Sequence, residues 1–354
     1  MANTMLALVY RRETGVQLET RPVPSLQHPR DAIVKVIRST ICTSDLHIKN
    51  GFVPRAASGI VLGHEFVGEV VECGRGVTNV KPGDRVAANC ETFCGECWFC
   101  KKGFINNCQV GGWELGCRID GCQAEYVRVP FADTGLSVIP ECLSYEDALF
   151  AGDILSSGYF GAELADIHRV DTVAVIGAGP VGLCASQCAK VLGAGQVICL
   201  DVDPWRLQTA LREGVADRTL NPSLEDWEAA LREWTHGRGA DAVIEAAGGA
   251  NTFEMAWTMA RPNAVVSVVA MYEEDQVLPL PRMYGKNLQF KTGGVDARHV
   301  PELLALLAQG KLRTDFLITH RGPLQKIEEG YRIFEEKREP CLKWVVTPQD
   351  EEKF

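Results

Sequence analysis

The chain lacks any apolar run approaching the roughly 18 residues that a membrane-spanning helix requires, so no membrane association is expected. Its first residues, MANTMLALVYRRETG, show no charged start, long apolar stretch and small-residue cleavage site in succession, and no secretory leader is expected. Positive charge is scarce too. Of 354 residues, 36 are Lys or Arg against 46 Asp or Glu, a net charge of -10. A nucleic-acid partner calls for a basic face, and none is expected here. Internal repeats and low-complexity segments are missing as well. What remains, 46% apolar and 23% charged, is an ordinary folded composition. The length allows two domains, each burying its own core.

Cysteine, by contrast, is plentiful, with fourteen residues. Cys184, Cys188 and Cys199 fall inside apolar helix-like or strand-like segments, whereas secreted proteins pair their cysteines in loops. Reduced, buried thiols and a cytoplasmic location are therefore the expectation. Four others form a cluster of their own. Cys94, Cys97, Cys100 and Cys108 lie in NCETFCGECWFCKKGFINNC with the spacing C-x2-C-x2-C-x7-C. Thiolates that close together can complete a tetrahedral shell around one zinc ion and leave no position for substrate. Such a site braces a loop. Disulfides, or a zinc ribbon that binds nucleic acid, are the competing readings. The ribbon needs a basic patch around residues 90–110, where only Lys101 and Lys102 carry positive charge.

Two kinds of local pattern divide the chain. The first 150 or so residues give short β segments, AIVKVIRSTIC (32–42), FVGEVVECG (66–74) and AEYVRVP (124–130), set between turns such as KPGDRV. From about residue 155 strand and helix alternate: TVAVIGAG (172–179), PVGLCASQCAKVLGA (180–194), QVICLDVD (196–203), PWRLQTALREGV (204–215). DAVIEAAGG (241–249), NTFEMAWTMA (251–260) and AVVSVVAMY (264–272) continue the series. Alternation of this kind implies right-handed crossovers and a parallel sheet covered on both faces. A helix, VPELLALLAQG, then leads to a tail ending in CLKWVVTP. The expected fold class is α/β: a β-rich domain at 1–155 completed by 295–354, and a doubly wound parallel-sheet domain at 156–294.

Gly177, Gly179 and Gly182 form G-x-G-x-x-G between an apolar strand and a helix opened by Pro180 and Val181. These glycines allow a tight turn and a close approach of backbone N–H groups to a pyrophosphate. Asp201 ends the next strand, where it can bind ribose hydroxyls and repel a 2′-phosphate, favouring NAD over NADP. Arg206 nearby leaves room for mixed use. A ligand-free turn and an FAD site are the alternatives.

A second set of metal-ligand types is dispersed. Cys42 lies in STICTSDLHI, His64 and Glu65 in VLGHEFVGE, and Asp153 in ALFAGDILSSGYFGAELADI. One Cys, one His and one carboxylate can hold zinc with a position open to a substrate oxygen. Singly, each has a duller explanation (core thiol, buried histidine, helix cap), and spacing alone does not join them.

The motifs C-T-S-D-L-H, G-H-E, the four-cysteine loop and V-I-G-A-G-P-V-G-L occur together in an order that resembles the zinc-containing medium-chain alcohol dehydrogenases, over essentially the whole chain. The resemblance implies a GroES-like catalytic domain, a Rossmann domain, NAD(H), two zinc ions per subunit and a homo-oligomer, dimeric or tetrameric. It assigns catalytic zinc to Cys42, His64 and Asp153, with Glu65 an occasional ligand and Asp45 orienting the histidine. Ser44 and His47 become the path by which the alcohol proton leaves. Trp113 is similar in placement to a pocket-lining tryptophan, and Leu155, Ser156 and Tyr159 are expected near nicotinamide or substrate. Many members carry cysteine as the third ligand. Asp153, with GAELADI after it, resembles bacterial tetrameric secondary-alcohol dehydrogenases, yet those often lack the cysteine loop and prefer NADP. The implied reaction oxidises small secondary alcohols or diols to ketones and runs in reverse. Polyol, threonine-type and hydroxysteroid dehydrogenases, or a non-catalytic member, are the alternatives.

Overall fold

Alternating β-branched residues make Ala32–Thr40 (AIVKVIRST) the central strand of a seven-stranded sheet. The computed structural model describes residues 3–336 and 339–349. It divides the chain into two units, Met1–Ser156 with Asp296–Phe354, and Ser157–Val295. In the first unit, Phe66–Cys73 lies antiparallel on one side of Ala32–Thr40. Tyr126–Val129 and Lys343–Thr347 also pair with it antiparallel. Arg85–Ala88, Leu136–Val138 and Ile318–Pro323 complete the sheet. A second sheet joins Gly15–Pro22, Thr4–Arg11 and Ile60–Val61. Among the described residues three apolar clusters fill this unit, one around Leu8, Ile41, Ile48, Leu62 and Tyr331, one around Val34, Val36, Phe66 and Val86, and a smaller one around Met5, Ala7, Val9, Val61 and Ala124. Each fully buried Val or Ile contributes about 1.5–3 kcal/mol. The tail segment KWVVT returns to pair with the first strands, so residues about 300 positions apart in sequence meet in one core.

The second unit is a six-stranded sheet with every pairing parallel. Across the sheet the strands run Arg218–Leu220, Gln196–Leu200, Thr172–Ile176, Ala240–Glu245, Ala260–Val268, Gln289–Thr292. In chain order that is 3-2-1-4-5-6, with its topological switch between Thr172–Ile176 and Ala240–Glu245, where open sheets of this type bind dinucleotides. The helices Pro180–Val191, Pro204–Arg212, Trp227–Trp234 and Thr252–Met259 cross between strands. Val173, Ala174 and Val175 are fully buried, which explains the unbroken apolar run in the sequence: a strand covered on both faces has no solvent side to mark with polar residues.

Candidate active site

Three constellations stand out, one in the second unit and two in the first. In the second unit, Leu200 pairs in register with Ile176, so the turns after both strands share one edge of the sheet. Gly177 adopts φ +101, a region that favours glycine. A Cβ at Gly182 would lie 1.8 Å from the Gly177 carbonyl oxygen, so helix Pro180–Val191 packs on the strand only with glycine there. Gly179 caps that helix, Pro180 occupies its first turn, and Val181 follows. Asp201 Oδ2 accepts the Ala178 N–H at 2.7 Å and Oδ1 the Asp203 N–H at 2.9 Å. Its carboxylate therefore ties the glycine turn to the second strand while keeping lone pairs free. Arg206 reaches within 3.9 Å of Asp201 and 3.6 Å of Asp203.

The four-cysteine loop folds around its own sulfurs. Cys97 caps the short helix Trp98–Lys101, which carries Cys100, and Cys108 follows the turn Ile105–Asn107. One Sγ from each of Cys94, Cys97, Cys100 and Cys108 falls within 4.8 Å of the others. Cys97 and Cys100 sulfurs are 3.4 Å apart, Cys94 and Cys100 4.0 Å, far beyond the roughly 2.05 Å of a disulfide. The backbone N–H groups of Cys94 and Cys97 point at the sulfurs of Cys108 and Cys94, each at 3.3 Å. Backbone hydrogen bonds, that from Cys100 first, pull the Cys97 thiol down to about 6. Burial pushes the Cys100 thiol up to about 12 and also raises Cys108, and four sulfurs gathered this closely are the donor set that a four-sulfur zinc site requires.

The dispersed residues also converge. One donor atom each from Cys42, His64 and Asp153 lies within 4.8 Å of the others. Asp153 Oδ2 is 3.3 Å from His64 Nε2 and 3.6 Å from Cys42 Sγ. Cys42 precedes helix Thr43–Lys49, and Asp153 precedes helix Ile154–Leu164. Gly152 fixes the second of these: a Cβ there would sit 1.7 Å from the Ala88 carbonyl oxygen, and its own carbonyl accepts the Cys90 N–H at 3.0 Å. Ser44 Oγ stands 3.2 Å from His64 Nε2, at the edge of the donors. His47 is one helical turn further on, its ring edge-on to Phe52 at 6.2 Å.

Behind these donors is a buried polar network. Asp45 Oδ1 lies 3.4 Å from His64 Nδ1. Asp45 Oδ2 accepts the Cys42 N–H at 2.9 Å and Gln123 Nε2 at 3.1 Å, and the Tyr331 hydroxyl donates to Gln123 Oε1 at 2.8 Å. Burial alone would lower the His64 imidazole, but the Asp45 charge and bonds to its neighbours leave it well raised. Glu65 is not among the three donors. Its Oε2 is 2.6 Å from Lys343 Nζ and also receives the Thr40 hydroxyl. Lys343 donates further to the Ile41 carbonyl at 3.2 Å. Both members of the pair are 1% exposed, and the Glu65 charge raises the Lys343 ammonium against the downward pull of burial.

Trp113 meets the His64 ring edge-on at 5.7 Å and packs against the apolar cluster that contains Leu8, Ile41 and Tyr331, while the Arg55 guanidinium lies over it at 5.3 Å. This places Trp113 against the core and beside the His64 ring. Leu155 and Ser156 are buried, and the Ser156 hydroxyl donates to the Ala151 carbonyl at 2.7 Å. Tyr159 belongs to the second unit. Sequence reasoning missed Lys343, Gln123 and Tyr331. The signals were faint: a lysine amid the apolar KWVVT, a glutamine opening the apolar strand before AEYVRV.

Comparison with known proteins gives these clusters their context. Residues 28–141 match the alcohol dehydrogenase GroES-like domain and residues 180–309 the zinc-binding dehydrogenase domain. A zinc-type alcohol dehydrogenase B of Aspergillus flavus is 36% identical over 340 residues, covering 94% of this chain and 79% of that protein. An NADP-dependent isopropanol dehydrogenase of Thermoanaerobacter brockii is 33% identical over 336 residues, covering 92% and 94%. The solved structure of the alcohol dehydrogenase TADH from Thermus sp. ATN1 superposes with a TM-score of 0.90 at 38% identity, covering 98% of this chain and all of that one. With two domain matches and full-length relatives agreeing, the chain belongs to the zinc-containing medium-chain alcohol dehydrogenases, a family of oxidoreductases.

Proposed function

We propose that this protein is an NAD-dependent dehydrogenase of secondary alcohols or diols, holding one catalytic and one structural zinc per subunit. The observation that carries the reading is the convergence of Cys42, His64 and Asp153 on one point. Their sulfur, nitrogen and oxygen donors suit zinc, and His64 is backed at Nδ1 by Asp45 as ligating imidazoles commonly are. The four cysteine sulfurs suit a second, closed zinc. When bound, the catalytic zinc supplies Lewis acidity that lowers the pKa of an alcohol, and NAD+ takes up a hydride.

The chain's own groups do the rest. Cys42, His64 and Asp153 fix the direction from which an alcohol oxygen approaches. Ser44, beside His64, accepts the hydroxyl proton, and His47, one turn along the same helix, passes it to solvent. The alcohol C–H bond breaks with its electron pair leaving as hydride, the O–H proton leaves by Ser44, and a ketone remains. Trp113 presents an aromatic wall to the carbon chain. In the second unit, the turn at Gly177–Gly182 offers N–H groups to a pyrophosphate, and Asp201 offers acceptor oxygens to ribose hydroxyls. Its negative charge favours NAD over NADP, in contrast to the NADP-dependent isopropanol enzyme. That enzyme's name supports a secondary-alcohol substrate. Fourteen cysteines not joined in disulfides fit a reducing cytoplasm, and a dimer or tetramer is the assembly proposed.

Initial rates of NAD+ and NADP+ reduction by protein of verified zinc content test this across primary alcohols, secondary alcohols, vicinal diols, threonine and hydroxysteroids. Turnover of a secondary alcohol or diol with NAD+ is the expected result. No turnover of any class with either nucleotide would overturn it.

A further inference from the structure

Over the ring of Trp113, beside the candidate zinc donors, lies a cation that the mechanism does not use. We infer that Arg55 is a specificity residue: the alcohol oxidised here ends in a carboxylate, Arg55 binds that carboxylate, and the short apolar chain between them lies along Trp113. This rests on the dehydrogenase reading above and names the far end of its substrate.

The sequence presents Arg55 on a pinned turn. Val53 and Ala56, on either side of it, are buried in the cluster around Leu8 and Tyr331. The Ala56 N–H donates to the Val53 carbonyl at 3.0 Å, and the Ala57 N–H to the Cys117 carbonyl at 2.8 Å. The Arg12 guanidinium donates to the Pro54 and Ala56 carbonyls at 3.3 and 3.2 Å. With the backbone held on both sides, the Arg55 guanidinium lies 5.3 Å from the centroid of the Trp113 ring, and the residue stays exposed. The same ring meets His64 edge-on at 5.7 Å. One half-buried indole thus separates a solvent-accessible guanidinium from a metal donor.

The charge of Arg55 is left unanswered. Arg118, further along the segment that carries Trp113, pairs with Glu114, but among the described residues no carboxylate pairs with Arg55. Two acids feel its charge and stay largely neutral: burial raises the Cys117 thiol, and burial pushes Glu91 up to about 8 against the pull of Arg55. A guanidinium over an aromatic ring is attracted to the ring without using its N–H donors there. The fork of donors that remains matches the two oxygens of a carboxylate. Arg12, the other cation at this turn, is directed at backbone carbonyls, so one guanidinium is left, which suits a carboxylate monoanion better than a phosphate dianion. Because the indole stands between the two ends, a 5-hydroxy acid reaches both and a 3-hydroxy acid falls short.

Initial rates with NAD+ are compared for 5-hydroxyhexanoate, 3-hydroxybutanoate, 2-hexanol, 6-amino-2-hexanol and the phosphate ester of 1,5-hexanediol, on the zinc enzyme and on the variants Arg55→Gln and Arg55→Lys. The wild type is expected to favour 5-hydroxyhexanoate over 2-hexanol in kcat/KM by about tenfold, the scale of a hydrogen bond to a charged group. That preference is expected to shrink as salt is raised toward about 1 M, where the Debye length is about 3 Å. Arg55→Gln is expected to erase it, chiefly through the KM of the hydroxy acid. Arg55→Lys keeps the charge without the planar fork and is expected to retain part of it. Both variants alter an exposed side chain outside the apolar clusters, and an unchanged Tm checks that they fold. A wild-type preference for any of the other four substrates would overturn the inference. So would a preference for 5-hydroxyhexanoate that withstands salt or survives Arg55→Gln. Silence toward all five, with oxidation of another alcohol, would overturn the carboxylate alone, whereas silence toward every alcohol would remove the dehydrogenase reading with it.

Discussion

Two sulfur-bearing clusters in the same unit are built in opposite ways. The four-cysteine loop draws its donors from residues 94–108 and wraps the sulfurs in its own backbone N–H groups. The open cluster draws Cys42, His64 and Asp153 from three segments, and buried polar partners back it: Asp45, Gln123 and Tyr331, joined through Thr40 to Glu65 and Lys343. The first forms once a short loop is made. The second exists only when strands from both ends of the chain have met. A brace can be local because nothing needs to reach it, whereas a site that admits substrate gives up one position and needs its remaining ligands held from behind.

That contrast is broken most severely at the open cluster. Asp153→Ala is expected to lower kcat/KM by about ten-thousandfold, since metal-based charge stabilisation is worth several kcal/mol and each tenfold is about 1.4 kcal/mol. Metal analysis is expected to show about one zinc lost per subunit and one retained. Loss of both ions would show that the clusters are not independent.

The next effect concerns stability. Lys343→Met leaves Glu65 buried without its partner, for which about 3–5 kcal/mol is expected. A chemical-denaturation midpoint reads it directly. Adding Glu65→Gln removes the uncompensated charge, so the double variant is expected to recover more than half of the loss. If the double is no better than the single, Lys343 acts through packing rather than charge.

This ion pair also marks the limit of what the residues announce. The cysteine loop was legible because its ligands sit at short, regular spacing, and the glycine turn because strand, G-x-G-x-x-G, helix and Asp201 follow in order. The trio Cys42, His64 and Asp153 was legible by family likeness alone, since no periodicity joins positions so far apart. Lys343 lies 278 residues from Glu65 and belongs to a strand that otherwise reads as core. Only the pairing of Lys343–Thr347 with Ala32–Thr40 reveals its partner. Glu65, which the family likeness makes an occasional ligand, forms this pair with Lys343. Gln123 and Tyr331, 208 residues apart, escape for the same reason. Hydrogen bonds between distant segments leave no mark on composition or period.

Gln123 sharpens the comparison at smaller cost. Gln123→Leu removes the donor that anchors Asp45 while Asp45 and the three metal donors remain. Outer partners of this kind typically change metal affinity by about 10–100-fold, and zinc release to a chelator is expected to accelerate on that scale. Zinc in the cysteine loop, which shares no hydrogen bond with Gln123, is expected to leave at its unaltered rate. Equal acceleration at both sites would mean that the substitution loosens the whole unit.

The smallest effect on turnover belongs to the loop. Cys97→Ser replaces a soft ligand at a site that touches no substrate, so kcat at 25 °C is expected to stay within about threefold of wild type while the structural zinc is held less tightly. The consequence falls on stability instead, because zinc bound only by the folded loop contributes its binding free energy to folding. A fall of several degrees in Tm with kcat preserved is the expected signature. A loss of kcat matching that of Asp153→Ala would instead show that the loop positions the reacting groups. The antiparallel bridge between Thr92 and Gly112, the residue before Trp113, offers a path by which it could.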